Sequence, residues 1–453
     1  MTTVVQALAA GALALREREG DGLRPAARDA FVDWLAVTLG GSTRPITSAL
    51  LDGLGSGDGP SRIVGRRTRA ATPTAALVNG AAAHVLELDD IYAPGLFHPG
   101  APVVAAALAV ADQRDATFGR LLRAIVVGYE VGCRLAADLG PSHYAHWHTT
   151  GTAGAVAAAA AAADLRDADA ATIAHALSLA ATTAGGVQQT FRSDAGGKPL
   201  HAGAAAQAGV VAAAAAAGGV TGAPDVLEGP AGFAAATGTT TDWAACRDGA
   251  DRPLAIEQVT VKPFACCGHA FAPIDGAGRL RAGGVVAADV QEIHVDTYAT
   301  AIATAGIAEP RTPAERNFSI PFLVAAALVH GPERMFTDAA ADDPLVQRLV
   351  GRVRLRRDPA FEARFPARRG ARVTVVLAGG DRQVVDVPDR PGSPERPLGP
   401  DRLAAKFVAT AAPVLGGGAA AALGALLALP ADAPVRTIGL HPLWSLTRVD
   451  GPG

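Results

Sequence analysis

Histidines, clustered acids and a few lysines mark the places where this sequence can do chemistry. Five of its eleven histidines, His84, His98, His143, His146 and His148, fall within one stretch of 65 positions, residues 84–148. In HVLELDDIYAPGLFHPGA (84–101), Glu87, Asp89 and Asp90 end a helical pattern with acid, where the helix dipole prefers cations. Carboxylates in that position are either held for a task or cap the next element. His98 follows in a loop with Pro99 and Gly100 and opens the next helical pattern. At that positive helix end its pKa tends to fall, leaving neutral imidazole near pH 7 as a base. In HWHTTGTAG (146–154), His148 precedes Thr149, Thr150, Gly151 and Thr152, whose hydroxyls and free N–H groups suit a carboxylate or phosphate, or simply cap the helix. In SDAGGKPLHAG (193–203), Gly196 and Gly197 let backbone approach a ligand and Lys198 presents an ammonium. The G-x-x-x-x-G-K-[ST] phosphate loop is absent, and Pro199 follows the lysine.

Lysine is scarce: of 40 basic residues only Lys198, Lys262 and Lys406 are lysines. Where arginine serves almost everywhere, a retained lysine hints that a compact ammonium is wanted. The stretch KPFACCGHAFAPID (262–275) holds Cys266, Cys267, His269 and Phe271, and adjacent cysteines read as buried small residues rather than a zinc pair. His84, Glu87, His98 and His148 could form a His/carboxylate ligand set, but H-x-x-E lacks the second histidine of H-E-x-x-H. No metal is expected.

The elements that must position these groups are mostly helical. Apolar residues recur at three- and four-residue spacing in Ala27–Leu39, Thr74–Leu88, Ala101–Asp112 and Phe118–Leu139. Gly154–Asp164 and Ala204–Gly218 are nearly pure alanine, the best helix former and a side chain that lets helices approach closely. Ile256–Val261, Val290–Thr297, Val350–Leu355 and Arg372–Leu377 read as strands, and Gly379-Gly380-Asp381 before Gln383–Val387 signals a hairpin. After the Pro-rich stretch 388–400 a helical pattern resumes over Asp401–Leu429. The expected fold is mainly α: a discontinuous all-helical domain (1–262 and 401–453) with an inserted, smaller α+β lid domain (263–400). A crevice between them is a natural ligand site.

The 453 residues are 49% hydrophobic but only 5% aromatic, so the core must be built from Ala, Val and Leu. Lys+Arg 40 against Asp+Glu 43 leaves a net charge of −3, without the basic excess that nucleic-acid binding calls for. Four cysteines make no disulfide framework, the first residues lack a basic leader, and the apolar runs are broken too often for a bilayer span. These features lead to the expectation of a cytoplasmic protein with no nucleic-acid or membrane partner.

Taken in order, the stretches NGAAAHVLELDD…HPGAPV (79–103), HWHTTGTAGA (146–155), GGKPLHAGAAAQAGVVAA…GGVTGAPDVLEG (196–229), VKPFACCGHAFAPIDGA (261–277), RNFSIPFLVAAALVHG (316–331) and PLGPDRLAAKF (397–407) resemble the MmgE/PrpD family. That family includes 2-methylcitrate dehydratases, cis-aconitate decarboxylases and iminodisuccinate epimerases. The resemblance implies a homodimer, a large helical domain with a smaller α+β lid, a pocket between them, and no metal or organic cofactor. It places site residues at Glu87, His98, His148 and Lys198. Two positions depart from the family pattern: Phe271 stands for a histidine, with His269 nearby, and Phe322 for a tyrosine.

The resulting expectation is a cofactor-independent dehydratase of a hydroxylated carboxylic acid. His98 and His148 serve as acid and base, Lys198 stabilises a carboxylate or enolate, Glu87 orients an imidazole, and His269 protonates a leaving group. Asp90, Thr150, Gly197, Phe271 and Phe322 would line the substrate. Decarboxylation, epimerisation, or carboxylate binding without catalysis are the alternatives. The two phenylalanines lead further to a substrate with fewer carboxylates and a larger apolar part, since an unpartnered buried carboxylate is costly.

Overall fold

A computed structural model describes residues 2–19, 24–55, 57–192, 196–248 and 253–438. The chain forms two compact units, Met1–Val261 with Gly399–Gly453, and Lys262–Leu398. The architecture is mainly α with a smaller α+β part.

The first unit is built from α1 (Val4–Glu19), α2 (Pro25–Gly41), α3 (Pro45–Leu54), α4 (Thr72–His84), α5 (Gly100–Arg114), α6 (Phe118–Tyr144), α7 (Thr149–Asp164), α8 (Ala170–Thr183) and α9 (Gly197–Ala217). A two-residue hairpin, β1 (Ser61–Arg62) with β2 (Arg69–Ala70), precedes α4. Proline at the first turn starts α2, α3 and α4, where its missing N–H costs nothing. The centre is α7, buried from Thr149 to Asp164 and packed against α5, α6, α8 and α9. Its predominance of alanine and glycine lets neighbours enclose it closely on all sides. The helices Pro400–Leu415 and Ala419–Leu427, split by Gly416–Gly418, complete this unit, the first against α2.

Close approach is enforced at single glycines. A Cβ at Gly203 would meet the Leu77 carbonyl oxygen at 2.3 Å, and one at Gly209 would meet the backbone of Ala159 at 2.5 Å. Helix propensity alone favours alanine over glycine by about 1 kcal/mol. A clash with backbone that cannot swing aside outweighs this, since overpacking costs about 1–3 kcal/mol. Gly203→Ala is therefore expected to lower the thermal midpoint, whereas Gly11→Ala, in α1 with open space around its Cβ, raises it. Scanning calorimetry of the two variants checks the opposite signs.

The second unit carries a four-stranded sheet in the order β4-β3-β5-β6: β3 (Val290–Thr297), β4 (Val353–Arg357), β5 (Ala371–Leu377) and β6 (Arg382–Val387). β3 pairs parallel with β4 and antiparallel with β5, and β5 with β6 form the expected hairpin, with Gly380 at φ 86° in its turn. Helices Phe271–Ala282 and Ile320–His330 pack together over strands of this sheet. One expected strand fails: Ala255–Gln258 is a 3-10 turn and Thr260 makes a single bridge to Ile91. Its β-branched residues find no neighbouring strand, and composition without a partner makes no ladder.

Among the described residues, two helical stretches, Gly197–Ala217 and Pro400–Leu427, are long and apolar enough to cross a bilayer. The first carries Lys198 and His201 and packs on α4, α7 and α8, as a core helix does.

Candidate active site

In the helical unit the loop after α4, the start of α5, the start of α7 and the start of α9 bring the candidate residues together. α4 ends at His84, so Glu87, Asp89 and Asp90 lie beyond it in a loop rather than in its last turn, which relieves the expected dipole conflict. Glu87 has φ 54°, a left-handed conformation that costs a non-glycine residue about 1–3 kcal/mol and is tolerated where the surroundings enforce it. The enforcement comes from the loop's neighbours. Lys406, buried, donates to the Leu88 carbonyl at 2.9 Å and pairs with Asp33 at 2.5 Å. Lys198 grips Glu87 itself in a short ion pair. Two of the three lysines thus hold this one loop.

The centre of the cluster is Asp89. Its Oδ2 lies 2.6 Å from His84 Nδ1 and 3.4 Å from His98 Nδ1, all three side chains being buried. Burial alone would push this carboxyl up, but the two imidazoles more than offset it and hold it well below the usual carboxylate range. The His84 and His98 rings meet edge to face at 4.8 Å, and His148 stacks on His84 at 5.5 Å. His148 Nδ1 lies 3.2 Å from His201 Nδ1, and Phe191 packs edge-on against His148 at 4.8 Å. Burial, reinforced by His84, Lys198 and His98, drives the His148 pKa far down, so this imidazole is neutral at pH 7. His201 is lowered for the same first reason. Lys198 sits over the Phe191 ring at 5.4 Å, which keeps the ammonium facing this corner.

Four further candidates take supporting places. Asp90 accepts from the Gly100 N–H at 2.9 Å and from the Tyr129 hydroxyl at 2.7 Å, tying the loop to the start of α5 and to α6. Burial pushes its carboxyl up to about 7. Thr150, fully buried, accepts from the His98 N–H at 3.2 Å and so fixes the backbone of that histidine. A Cβ at Gly197 would meet Thr190 Oγ1 at 2.4 Å, so this glycine makes room for the chain's own Thr190. Residues 193–195 of the lysine stretch lie outside the described residues. His143 bonds Thr152 and Thr239 and is a core histidine.

The remaining candidates lie in the α+β unit. Phe271 and Phe322 are buried in its hydrophobic core, and His269 Nδ1 contacts the Tyr298 hydroxyl at 2.6 Å. Burial raises the thiol pKa of both Cys266 and Cys267, which suits structural cysteines.

Two family models match the chain: the MmgE/PrpD N-terminal domain over residues 11–245 and the MmgE/PrpD C-terminal domain over residues 264–426. The chain belongs to the MmgE/PrpD family. Membership supports a lyase of the dehydratase type in general. No curated protein matches the chain individually.

Within this MmgE/PrpD chain, His84, Asp89 and His98 also present donor atoms within 4.8 Å of one another. Ligands of one zinc at about 2.0–2.1 Å stand apart around the ion, whereas 2.6 Å between His84 and Asp89 is hydrogen-bond contact. As placed, His84 and Asp89 share a hydrogen bond, and His98 faces the same carboxylate oxygen at 3.4 Å. Sequence reasoning passed over His201, Phe191 and the bridging place of Asp89. His201 was legible as one helical turn after Lys198 in KPLH; Phe191 carried no signal.

Proposed function

We propose that this protein is a cofactor-independent dehydratase of a hydroxylated carboxylic acid. The observation that carries the reading is the buried Asp89 between two imidazoles with a neutral third imidazole, His148, stacked alongside. His148 takes the proton next to the substrate carboxylate. The electrons of that C–H bond form the new double bond as the neighbouring C–O bond breaks. His98, which faces Asp89, gives its proton to the departing hydroxide, which leaves as water. Lys198 stabilises the negative charge that grows on the carboxylate or enolate, and Glu87 fixes its ammonium. Decarboxylation and epimerisation pass through the same carbanion and differ in what departs. We further propose, on the family resemblance, a homodimer, and on the four unpaired cysteines a reducing, cytoplasmic setting.

A screen of citrate-like, aspartate-like and acyl β-hydroxy acids in D₂O tests the reading by mass spectrometry. Loss of water is expected. Loss of carbon dioxide or deuterium exchange with altered chirality would install one of the alternatives, and no exchange with any acid would leave a carboxylate binder. Dialysis against a chelator is expected to leave turnover unchanged. Loss of activity restored by zinc or iron would instead make His84, Asp89 and His98 a metal centre.

A further inference from the structure

The place and plane of the His148 ring are fixed from several sides. Its backbone N–H donates to the Gly186 carbonyl at 2.7 Å, and its own carbonyl accepts from the N–H of Gly151 at 2.8 Å and of Thr152 at 3.2 Å. The ring stacks on His84 at 5.5 Å and meets Phe191 edge to face at 4.8 Å. None of these contacts decides which ring nitrogen carries the hydrogen. A base needs a lone pair on the nitrogen that takes the proton, so that choice matters as much as position.

His201 is the neighbour that touches a ring nitrogen: its Nδ1 lies 3.2 Å from His148 Nδ1. It stands three residues after Lys198 near the start of α9, so both side chains look toward the same corner. Gly186 makes room for it. A Cβ there would come within 3.1 Å of the His201 ring, and φ 124° suits glycine. One glycine thus carries the carbonyl that anchors His148 and leaves the space in which His201 reaches it. His148 is 1% exposed, whereas His201 is half-buried and lines a groove of about 380 Å³ together with the exposed Val187 and Leu200.

Burial lowers the pKa of both imidazoles, and His148 also stands at the positive start of α7, where a cation is disfavoured. Each ring is therefore neutral at pH 7 and has one N–H. Two neutral imidazoles that meet Nδ1 to Nδ1 share a single hydrogen: two hydrogens would collide, and none would set two lone pairs against each other. When His201 donates, the hydrogen of His148 sits on Nε2 and no free lone pair remains on that ring. When His201 accepts, His148 carries Nδ1–H and its Nε2 lone pair is free.

We propose that His201 is the positioning residue that sets the tautomer of His148. Its Nδ1 accepts the Nδ1–H of His148, its own hydrogen lies on Nε2, and the Nε2 lone pair of His148 is left for the acidic C–H of the substrate. The part this plays in turnover rests on the dehydratase reading; the tautomer stands without it.

Nitrogen-15 NMR of the full chain, labelled at its histidine rings and free of substrate, reads the tautomer. At neutral pH His148 is expected to show a protonated Nδ1 and a bare Nε2, assigned by the loss of these signals in His148→Gln. His201→Leu is expected to move the hydrogen to Nε2, and His201→Gln, whose amide oxygen accepts, to keep it on Nδ1. Turnover should follow the same order. A catalytic histidine in the wrong tautomer costs about 10⁴ in kcat where its partner was a carboxylate, and with a neutral imidazole as partner a fall of at least about tenfold is expected in His201→Leu, with KM within about twofold and most of the rate kept in His201→Gln. A hydrogen on Nε2 in wild type, or one that stays on Nδ1 in His201→Leu, overturns the proposal while sparing the dehydratase reading. A hydrogen that moves as expected in a protein that turns over no acid, or whose kcat does not change, keeps the tautomer assignment and removes His148 as the base.

Discussion

Asp89→Asn is expected to lower kcat/KM by about 10²–10⁴-fold, the range that a well-placed acid or base contributes, while the circular dichroism stays that of the wild type. The amide matches the carboxylate in shape but not in charge. Both imidazoles face the same oxygen, and in the amide that oxygen is neutral, so the negative charge between the two rings is lost. The pH profile of kcat carries the decisive signature. Removing the negative charge that faces both imidazoles should move the profile relative to that of wild type. A variant within threefold of wild type with an unmoved profile would reduce Asp89 to a packing group.

Lys198→Ala and His148→Ala are each expected to lower kcat/KM by at least about tenfold, since an electrostatic partner or proton relay is commonly worth a few kcal/mol in the transition state. The Lys198–Glu87 pair is half-exposed, so as a stabilising ion pair it is worth only about 0.2–1 kcal/mol. Thermal unfolding of Lys198→Ala should therefore stay close to that of wild type while turnover falls. Lys198→Arg separates charge from shape: a planar fork over Phe191 should restore little of the lost rate. Wild-type rates in both alanine variants would return these residues to capping and surface duties.

Helical periodicity and strand alternation carried most of the fold, because both report which face is buried. The four strands of the main sheet and α2, α4, α5, α6, α7 and α9 fall on segments read from the sequence, whereas α1, α3 and α8 do not. The edges were harder. Thr74–Leu88 reads as one helix, yet it stops at His84, since the backbone turns left-handed at Glu87 and no local propensity announces that. In the site, residue types and motif spacing pointed to His98, His148, Lys198 and Glu87, all of which gather in one corner of the helical unit. What spacing does not encode is which acid meets which base. Imidazole orientation was given to Glu87, whereas the structure sets Asp89 between the imidazoles and puts Glu87 on Lys198. Two residues along a loop point to different sides, and only the tertiary fold decides. Tyr298 was invisible for a related reason: it lies 29 residues from His269 and meets it only because β3 returns to that side of its unit.

The grip of Lys406 on Leu88 and Asp33 has a consequence for the order in which the protein matures on the ribosome. Domains tend to fold as units, the N-terminal one first, as synthesis proceeds. Here the helical unit cannot close in that order, because the ammonium that steadies its histidine loop belongs to Pro400–Leu415 and is made only after the whole of Lys262–Leu398. Until then Asp33 is a nascent acid with its lysine not yet translated, and the loop from Glu87 to Asp90 has no clasp from behind. The polypeptide therefore acquires a competent histidine cluster late, after its second unit has emerged, so that a ribosome stalled before codon 406 releases a helical body without a finished site.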